Sequence, residues 1–454
     1  MSWQRLKSLD SLAQPFVKFV DKCYPDAFLF VIILTFITFL LSLSFTDSSS
    51  VEIINAWGNG LPKLFTFTAQ ICIIMITAHA LAHTDPIERL LNKVGSLPTS
   101  ANQAYALVAF VSGVASLFAW SFGLIVGGLI AKFVATGCQK KSIKVHYPLI
   151  VASAYSGYVI WHMGYSSSAA LFVASENHSL IDKIGVLPVT ETIFSSFNII
   201  MALVTLLIIT ILAPLMRPKN SKNIIEVDAK KLFKKEKKGI NKISNIAEVI
   251  ENNRKISFLF GFVILFFILN TFYTEGFSLD LNIVSWTFLC LGLLLSNSSI
   301  HYVKLVNNAA ITVGPIILQY PFYAGIMGIM ADTGLINILA NQIALISSTE
   351  TLPFFSFLSG GLVNMFIPSG GGQWAVQGPV MIEAAEMLGV NPSFVVLGVA
   401  YGDQWTNMIQ PFWTIPLLAI AGLHMRQIMG YTFVVFIFTG LIFGGSLLLL
   451  GSYG

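Results

Sequence analysis

Long apolar runs, each followed by a shorter polar segment, make up most of this chain. A transmembrane helix needs about 20 apolar residues, and eleven runs approach or exceed that length. The pattern therefore predicts an all-α polytopic membrane protein. Two of the runs, 102–133 and 352–388, predict re-entrant helical hairpins. The other nine predict full crossings, at residues 26–45, 64–83, 147–174, 192–215, 256–273, 281–297, 303–330, 393–421 and 427–449.

The run at 352–388 is interrupted in its middle, where Pro368 comes shortly before three consecutive glycines. A helix does not run smoothly through such a stretch. Broken backbone at membrane depth is tolerated only inside protein or beside a water-filled cavity. Similar interruptions occur at 120–123, 162–168 and 402–410. Because discontinuous helices near the midplane mark the substrate sites of secondary transporters, these four breaks predict one shared site.

The two halves of the chain correspond at a nearly constant spacing of 246 to 248 residues, which indicates an internal repeat. Matching segments are Phe110-Val111-Ser112-Gly113 with Phe357-Leu358-Ser359-Gly360, Ser121 with Ser369, and Ala154-Tyr155 with Ala400-Tyr401. One unmatched helix separates the repeats, so the second is predicted to be inverted. The predicted divisions are a first repeat at 1–216, a basic loop at 217–255, a connecting helix at 256–273 and a second repeat at 274–454.

Charge predicts the orientation in the membrane. Segment 217–255 carries 12 Lys and Arg, whereas the loop predicted at 46–61 carries none. Lys and Arg concentrate in cytoplasmic loops, so the N-terminus and segment 217–255 are predicted to be cytoplasmic and the C-terminus to lie outside. Both flanks of the hairpin at 102–133 are basic, which predicts entry from the cytoplasm. The hairpin at 352–388 is then expected to enter from outside.

The predicted site can bind an anion without a buried base. No Lys or Arg occurs in the interior of the apolar runs, but broken helices leave free N–H groups at their positive N-terminal ends. Glycines there would let the backbone approach a ligand and take positive φ, and nearby aromatic rings suit a short apolar tail. The substrate-binding candidates are Trp120, Ser121, Gly123, Ser166, Ser167, Ser369, Gly370, Gly371, Gly372, Trp374 and Trp405.

Asp403 is the one acid deep inside an apolar run, and an intramembrane carboxylate is a functional hypothesis by default. Its neighbours along the chain are not cationic, so it is predicted to lack a positive partner. Asp403 would carry a coupling proton, or would bind Na⁺ together with Asn407 and Gln410. His162 is the ionisable candidate in the first half. No catalytic residue, metal site or cofactor is predicted.

Three motifs resemble those of the bacterial short-chain fatty acid transporters of the AtoE type. They are Pro368-Ser369-Gly370-Gly371-Gly372-Gln373-Trp374, Ala400-Tyr401-Gly402-Asp403-Gln404-Trp405-Thr406-Asn407, and Gln319-Tyr320-Pro321-Phe322-Tyr323. The resemblance covers about residues 15–450. It implies import of short-chain fatty acids such as acetoacetate or butyrate across the bacterial inner membrane. It also implies kinship with a wider ion-transporter superfamily whose hairpins ride on a mobile, elevator-like domain, and it supports a homodimer.

Other functional classes fit the sequence less well. A carrier of the same fold for another organic anion, such as a dicarboxylate, stays open, although the aromatic lining and the missing base favour a monocarboxylate. No HExxH, paired aspartates or GxSxG lies at a membrane break, which argues against an enzyme. The net charge is only +4, so no nucleic-acid partner is predicted. The expected partners are the carboxylate, H⁺ or Na⁺, the lipid bilayer and a second copy of the chain.

Overall fold

The computed structural model describes residues 9, 15–19, 22, 26–176, 178, 180–220, 223–228, 245–276 and 281–453. Within these ranges the secondary structure is helical and contains no β-strand, so the predicted all-α class is confirmed. The helices are α1 Ala27–Phe45, α2 Ser50–Gly60, α3 Phe65–Ala82, α4 Asp85–Gly95, α5 Ala101–Phe118, α6 Trp120–Lys140, α7 Tyr147–Ser156, α8 Ser168–Val173, α9 Ile181–Ile184, α10 Ser196–Leu215, α11 Ile246–Glu251, α12 Arg254–Glu275, α13 Leu281–Leu295, α14 Ser299–Ala310, α15 Gly314–Asp332, α16 Leu335–Leu345, α17 Leu352–Asn364, α18 Gly370–Leu388, α19 Pro392–Thr406, α20 Pro411–Ala421 and α21 Met425–Tyr453. Much of the basic loop predicted at 217–255 lies outside the described residues.

Seven helical stretches in the described part of the chain are long and apolar enough to cross a membrane. They are Phe28–Phe45, Ser50–Ala82, Ala101–Phe118, Trp120–Lys140, Ser196–Leu215, Arg254–Thr274 and Met425–Ser452. The predicted crossing at 303–330 is a bent pair instead, because α14 and α15 meet at 52°. The predicted crossings at 147–174 and 393–421 are interrupted helices. The second interruption begins at Asn407 and not at the predicted residue 402, because α19 continues through Thr406, and the first begins at Gly157, before the predicted residue 162.

The loop predicted at 46–61 is wrong, because most of it forms α2. Ser49 and Glu52 make a reciprocal capping box, in which each side chain accepts a hydrogen bond from the backbone N–H of the other. This cap starts a helix that continues through a 3-10 turn at Leu61–Leu64 into α3. The segment lies between two predicted crossings and was therefore expected to be a loop, but the local capping chemistry decides its secondary structure.

Both predicted hairpins contain a break between two helices. In the first, only Ala119 separates α5 from α6, and its extended backbone (φ −155°, ψ 134°) turns the chain. In the second, residues 365–369 separate α17 from α18. The glycines that follow do not take positive φ, so that expectation is wrong. They form the first turn of α18, because Ser369 caps this helix directly before them.

The two interrupted helices break at corresponding places. α7 continues as a 3-10 helix, Gly157–Met163, before the chain reaches α8. α19 continues as a 3-10 turn, Asn407–Ile409, before α20. These 3-10 segments end at Met163 and Ile409, which are 246 residues apart, within the spacing that relates the two repeats. The exact repeat boundaries stay a prediction.

The first hairpin opens toward one end of the bundle. Gln139, near the end of α6, donates to the Val227 carbonyl at 3.2 Å. Tyr147 ties the same end to the last residue of α20, shortly before α21 begins. Its N–H donates to the Ile225 carbonyl and its hydroxyl donates to the Ala421 carbonyl, both at 2.7 Å. We call this the basic end, since residues 223–228 belong to the basic segment.

The second hairpin opens toward the other end. Thr349, before α17, donates to the carbonyl of Leu388 at the end of α18, at 3.1 Å. A Cβ at Gly451, near the end of α21, would clash with the backbone of Glu350. α21 therefore runs from the basic end to this opposite end, and its 29 residues span about 43 Å. The hairpins thus approach from opposite ends, as inverted repeats require.

Which end faces the cytoplasm can be measured with single cysteines in a cysteine-free background. We expect Lys140→Cys, at the basic end, to react with a membrane-impermeant thiol reagent only when the cytoplasmic face is exposed. Glu350→Cys, at the opposite end, is the matched position and should react in intact cells. Rapid labelling of Lys140→Cys in intact cells would show that the basic end faces outward and that the predicted orientation is wrong.

Candidate functional site

The start of α18 presents free backbone donors to the interior. Ser369 is the N-cap, and its hydroxyl accepts from Gly372 N at 3.3 Å. The N–H groups of Gly370 and Gly371 have no acceptor among the described residues. A helix N-terminus carries a partial positive charge, so this turn favours a negatively charged group.

Two of the glycines have different surroundings. A Cβ at Gly370 would lie 2.8 Å from His162 Nε2 and 2.9 Å from the Trp161 ring, so only glycine fits there. At Gly371 an added Cβ would meet nothing nearer than Ser168 Cβ, at 4.0 Å. Packing therefore explains Gly370, whereas Gly371 borders open space beside α8. A ligand can approach the backbone from this side.

His162 connects the breaks of the two halves. Its backbone N–H donates to Gln404 Oε1 at 2.9 Å, and its Nδ1 lies 3.1 Å from Ser167 Oγ. Its Nε2 lies 3.3 Å from Asp403 Oδ2. Both side chains are almost fully buried. The prediction that Asp403 has no neighbour able to carry a positive charge is therefore wrong, because the fold brings His162 to it from the other repeat.

Side-chain amides hold the Asp403 side of this pair. Asn407 Nδ2 donates to Asp403 Oδ1 at 3.4 Å. Asn364, at the end of α17, donates to Asn407 Oδ1 at 2.7 Å and to the Asp403 carbonyl at 2.9 Å. Gln410 Nε2 donates to the Asn364 carbonyl at 3.0 Å. The second hairpin and the break after α19 are thus one hydrogen-bonded unit.

A set of oxygens in this unit has no hydrogen-bond donor. Among the described residues none donates to Asn364 Oδ1, Gln410 Oε1 or Asp403 Oδ2, and all three are buried. The Asp403 oxygen lies near His162 Nε2, but the two atoms are not aligned for a hydrogen bond. Unpaired buried acceptors are costly, and these three would be satisfied by a proton or a small cation. We call them the acceptor set.

Trp161, which lies beside His162, belongs to a group of buried aromatic side chains whose hydrogen-bond donors have no acceptor among the described residues. In the described part of the chain, nothing accepts from the Tyr158, Tyr320 and Tyr323 hydroxyls or from the Trp161 and Trp413 indole N–H groups. Ring contacts join them. Trp413 lies 5.8 Å from Tyr158 and 6.4 Å from Trp161, while Phe412 lies 4.2 Å from Tyr320 and 4.9 Å from Tyr323. We call these five the donor set; the unpaired Trp57, Trp374 and Tyr302 lie elsewhere.

The start of α6 also reaches this region. Trp120 N donates to Ser166 Oγ at 2.9 Å, which joins the first hairpin to the break after α7. The Trp120 ring meets Trp413 at 4.8 Å. Ser121 is buried in the same turn. Gly123 faces the other arm of the hairpin, where a Cβ would clash with Ser116, so it serves close packing.

The structure places two of the candidate tryptophans away from this site. Trp405 stacks on Phe436 at 4.2 Å, and its indole N–H donates to the Phe436 carbonyl at 2.7 Å. It therefore fixes α19 to α21. Trp374 is buried in a separate apolar cluster with Ala169, Val173 and residues of α18 and α19. Neither ring contacts the His162–Asp403 pair in the described contacts.

A tyrosine of each repeat reaches the break of the other. The Tyr155 hydroxyl donates to the Asn407 carbonyl at 2.7 Å. Tyr401, its counterpart in the second repeat, donates to Asn198 Oδ1 at 2.9 Å, and Asn198 in turn donates to the Met163 carbonyl at 2.9 Å. These bonds satisfy carbonyls that the breaks leave free, and they hold both breaks in one body.

A sequence model of the short chain fatty acid transporter family matches residues 8–450. The chain belongs to the short-chain fatty acid transporter family. A relative from Escherichia coli K12 is 35% identical over 428 residues, covering 94% of this chain and 96% of the relative. Another from Haemophilus influenzae is 34% identical over 434 residues, with the same shares. Both relatives carry the provisional name short-chain fatty acid transporter.

Two solved structures are also similar to this transporter. The YdaH transporter of Alcanivorax borkumensis, described as having an unusual topology, is 14% identical with a TM-score of 0.45 and covers 93% of this chain and 98% of its own. MtrF of Neisseria gonorrhoeae, described within a class of antimetabolite efflux pumps, is 13% identical with a TM-score of 0.37 and covers 97% of each chain.

One basic residue lies inside the transporter's apolar helices, contrary to the prediction. Lys132 was placed on the flank of the first hairpin, but α6 continues past it to Lys140 and buries it. It follows Trp120 by twelve residues, which is about 18 Å along the helix axis. Lys132 therefore lies too far along α6 to reach the first turn of this helix.

Sequence reasoning missed most of the donor set and underrated Asn364. Tyr158 and Trp161 lie just before the break predicted at 162–168, in a stretch whose other large residues, such as Val159 and Ile160, are ordinary core residues, so their ring types alone did not distinguish them. Tyr320 and Tyr323 did carry a signal, because Pro321 lies beside them inside α15 and a proline in a membrane helix frees backbone groups that neighbouring side chains or waters must satisfy. Asn364 was not among the candidate residues.

Proposed function

We propose that this transporter is a secondary active carrier that moves a small monocarboxylate, such as acetoacetate or butyrate, across the inner membrane together with one proton. The observation that carries the proposal is that unpaired buried donors and unpaired buried acceptors of the described residues meet at His162, whose ring lies 3.5 Å from that of Trp161 and whose Nε2 lies 3.3 Å from Asp403 Oδ2. Native structures leave few buried polar groups unpaired. A carboxylate accepts hydrogen bonds and a proton satisfies an acceptor, so the two sets are complementary to these two ligands.

The carboxylate would bind at the start of α18. Gly370 and Gly371 offer free N–H groups there, and His162 Nε2 adjoins Gly370. The Trp161 ring borders the same glycine through its Cη2 atom. Hydrogen bonds to a charged group contribute about 1.5–3 kcal/mol each, so three or four of them replace much of the lost hydration. The helix N-terminus adds favourable charge, and the rings of Trp120 and Trp413 would enclose the alkyl chain.

Charge balance links the carboxylate to the proton. In the proposed cycle the empty site carries no net charge. A bound carboxylate adds one negative charge, which is costly in so buried a place. It would take over His162 Nε2 as its own partner, and Asp403 would bind the proton that is carried with it. The loaded site is again neutral, so the transport cycle moves no net charge.

Na⁺ is the second candidate for the coupling ion. The acceptor set supplies the oxygen ligands that hard cations prefer, with Asn407 beside it. His162 favours the proton, because its Nε2 lies 3.3 Å from Asp403 Oδ2 and occupies space beside the oxygen that a metal cation would need. A dicarboxylate would need a second set of charged partners, and the described part of this site offers one histidine.

Transport would proceed by an elevator-like movement. The two hairpins and both interrupted helices are joined by the His162, Asn364 and tyrosine contacts, so they can move as one body. α1, α12 and α13 are the scaffold candidates, and most of α12 is exposed on the isolated chain.

A homodimer would brace such a scaffold in the bilayer. The mass of the detergent-solubilised protein tests this, and a monomer with full transport activity after reconstitution contradicts it.

The donor set provides the direct test of the proposal. We expect Trp161→Phe and Trp413→Phe each to raise the KM for butyrate about tenfold, because each removes one hydrogen bond worth about 1.5 kcal/mol to a charged group. Initial rates of labelled butyrate uptake into proteoliposomes measure this, after subtraction of uptake by protein-free liposomes. Trp405→Phe is the matched control, since its indole N–H bonds to Phe436. If the KM values for butyrate of Trp161→Phe and Trp413→Phe equal that of the control Trp405→Phe, the proposed site is wrong.

A further inference from the structure

A cavity of about 750 Å³ lies among the ends of four helices, α1, α15, α20 and α21. Asp26, His424 and Arg426 surround its mouth and are exposed. Gln319 and Thr414 line its inner part and are buried. The cavity therefore leads from a polar surface into the interior, along one side of α20.

The mouth lies at the basic end of the bundle. α20 ends at Ala421, whose carbonyl accepts from Tyr147, and Tyr147 N–H donates to Ile225. Leu423 to Gln427, which border the mouth, follow directly. If the basic end is cytoplasmic, as the charge distribution predicts, this cavity opens to the cytoplasm.

The inner end of the cavity approaches the proposed site. α20 begins at Pro411, and Thr414 lies one turn further along the helix. Between them, Phe412 stacks on Tyr320 with ring centres 4.2 Å apart and planes at 14°. Both rings are buried. The stack stands between the cavity and the Trp161–His162 side of the site.

The closed stack leaves polar groups unsatisfied. In the described part of the chain, Gln319 Oε1 inside the cavity has no donor, and the Tyr320 and Tyr323 hydroxyls beside Phe412 have no acceptor. Buried groups of this kind call for an explanation. Separating the rings would expose both hydroxyls to water or to a passing carboxylate, which would offset the loss of ring contact.

We infer that this cavity is the aqueous route between the binding site and the basic end, and that the Tyr320–Phe412 stack is its inner gate. The structure then represents the carrier with its route open at the mouth and closed at the gate. The inference rests on the proposed function for the location of the site. It does not depend on which carboxylate or ion is moved.

Cysteine labelling tests the route without any transport measurement. In a cysteine-free protein, Leu418→Cys lines the cavity and Leu441→Cys lies on the exposed face of α21. We expect an impermeant thiol reagent applied at the basic end to modify Leu418→Cys at least tenfold faster than Leu441→Cys. The same reagent applied at the opposite end should modify neither at a significant rate. Equal rates for the two positions would overturn the route.

The gate is tested with a reporter on the site side of the stack. Ser168→Cys lies next to Gly371 and is half-buried. We expect Phe412→Ala to raise its modification rate from the basic end at least tenfold, and Phe412→Leu, a milder change, to raise it less. Tyr320→Phe keeps the ring stack but removes one hydroxyl that opening would expose, so it should not raise the rate. An unchanged rate in both Phe412 variants, with normal size-exclusion profiles, would refute the gate even if butyrate transport itself is confirmed.

Discussion

Asp403→Asn will lose pH-driven accumulation of butyrate while retaining exchange of butyrate between equal pools. Asparagine imitates the protonated carboxyl, so the variant can bind substrate and move it but cannot release a proton. Uptake into proteoliposomes with an imposed pH gradient measures accumulation, and labelled efflux into unlabelled butyrate measures exchange. We expect accumulation to fall at least tenfold and exchange to stay within about threefold of the native rate.

Asp332→Asn is the matched control for this substitution. Asp332 is an exposed carboxylate, paired with Lys63 at 3.2 Å, and should not take part in coupling. Exposed ion pairs contribute little to stability, so this variant should accumulate butyrate normally. If Asp403→Asn still concentrates butyrate when a pH gradient is imposed, Asp403 is not the coupling group.

Gly371→Val will abolish saturable uptake and leave the protein folded. An added Cβ at Gly371 meets no described atom closer than 4.0 Å, so the variant should pack without strain. The side chain would nevertheless cover the N–H groups that the carboxylate is proposed to approach. Removing two hydrogen bonds to a charged group costs about 3–6 kcal/mol, which corresponds to a loss of at least a hundredfold in affinity. Direct binding of labelled butyrate to the purified variant measures this.

Gly445→Val in α21 provides the control, because it too has open space around an added Cβ. It introduces the same β-branched residue into a helix far from the site. Native-like binding by Gly445→Val together with loss in Gly371→Val would support a substrate-facing backbone at the start of α18. Native-like binding by both would show that the carboxylate binds elsewhere.

The sequence indicated the breaks because proline, glycine and serine act locally. Pro368 and Ser369 end one helix and cap the next wherever the chain is placed, so the second hairpin was predictable. The spacing of the repeats likewise located the interruptions after α7 and α19. Ser49 and Glu52 act just as locally, but the segment between the first two crossings was predicted to be a loop and its capping box was overlooked.

The composition of the site was less predictable, because it depends on which face of each helix turns inward. Asp403 and Trp405 are two residues apart and point in different directions on a helix, so Asp403 meets His162 while Trp405 meets α21. The His162–Asp403 contact joins residues far apart in the chain and needs the tertiary fold. Tyr158 and Trp161 stand out only in the tertiary structure, where the buried hydroxyl and indole N–H have no acceptor among the described residues.

Proton coupling of the native protein is the central claim, and initial uptake rates under separate ion gradients test it most directly. Labelled butyrate uptake would be followed in proteoliposomes with the membrane potential clamped at zero, and uptake by protein-free liposomes would be subtracted because butyric acid crosses lipid unaided. We predict that a pH gradient, acidic on the side of substrate addition, raises the initial rate several-fold, and that a Na⁺ gradient at constant pH has no effect. A rate that follows Na⁺ and ignores pH would contradict the proton-coupled mechanism and assign the acceptor set to Na⁺.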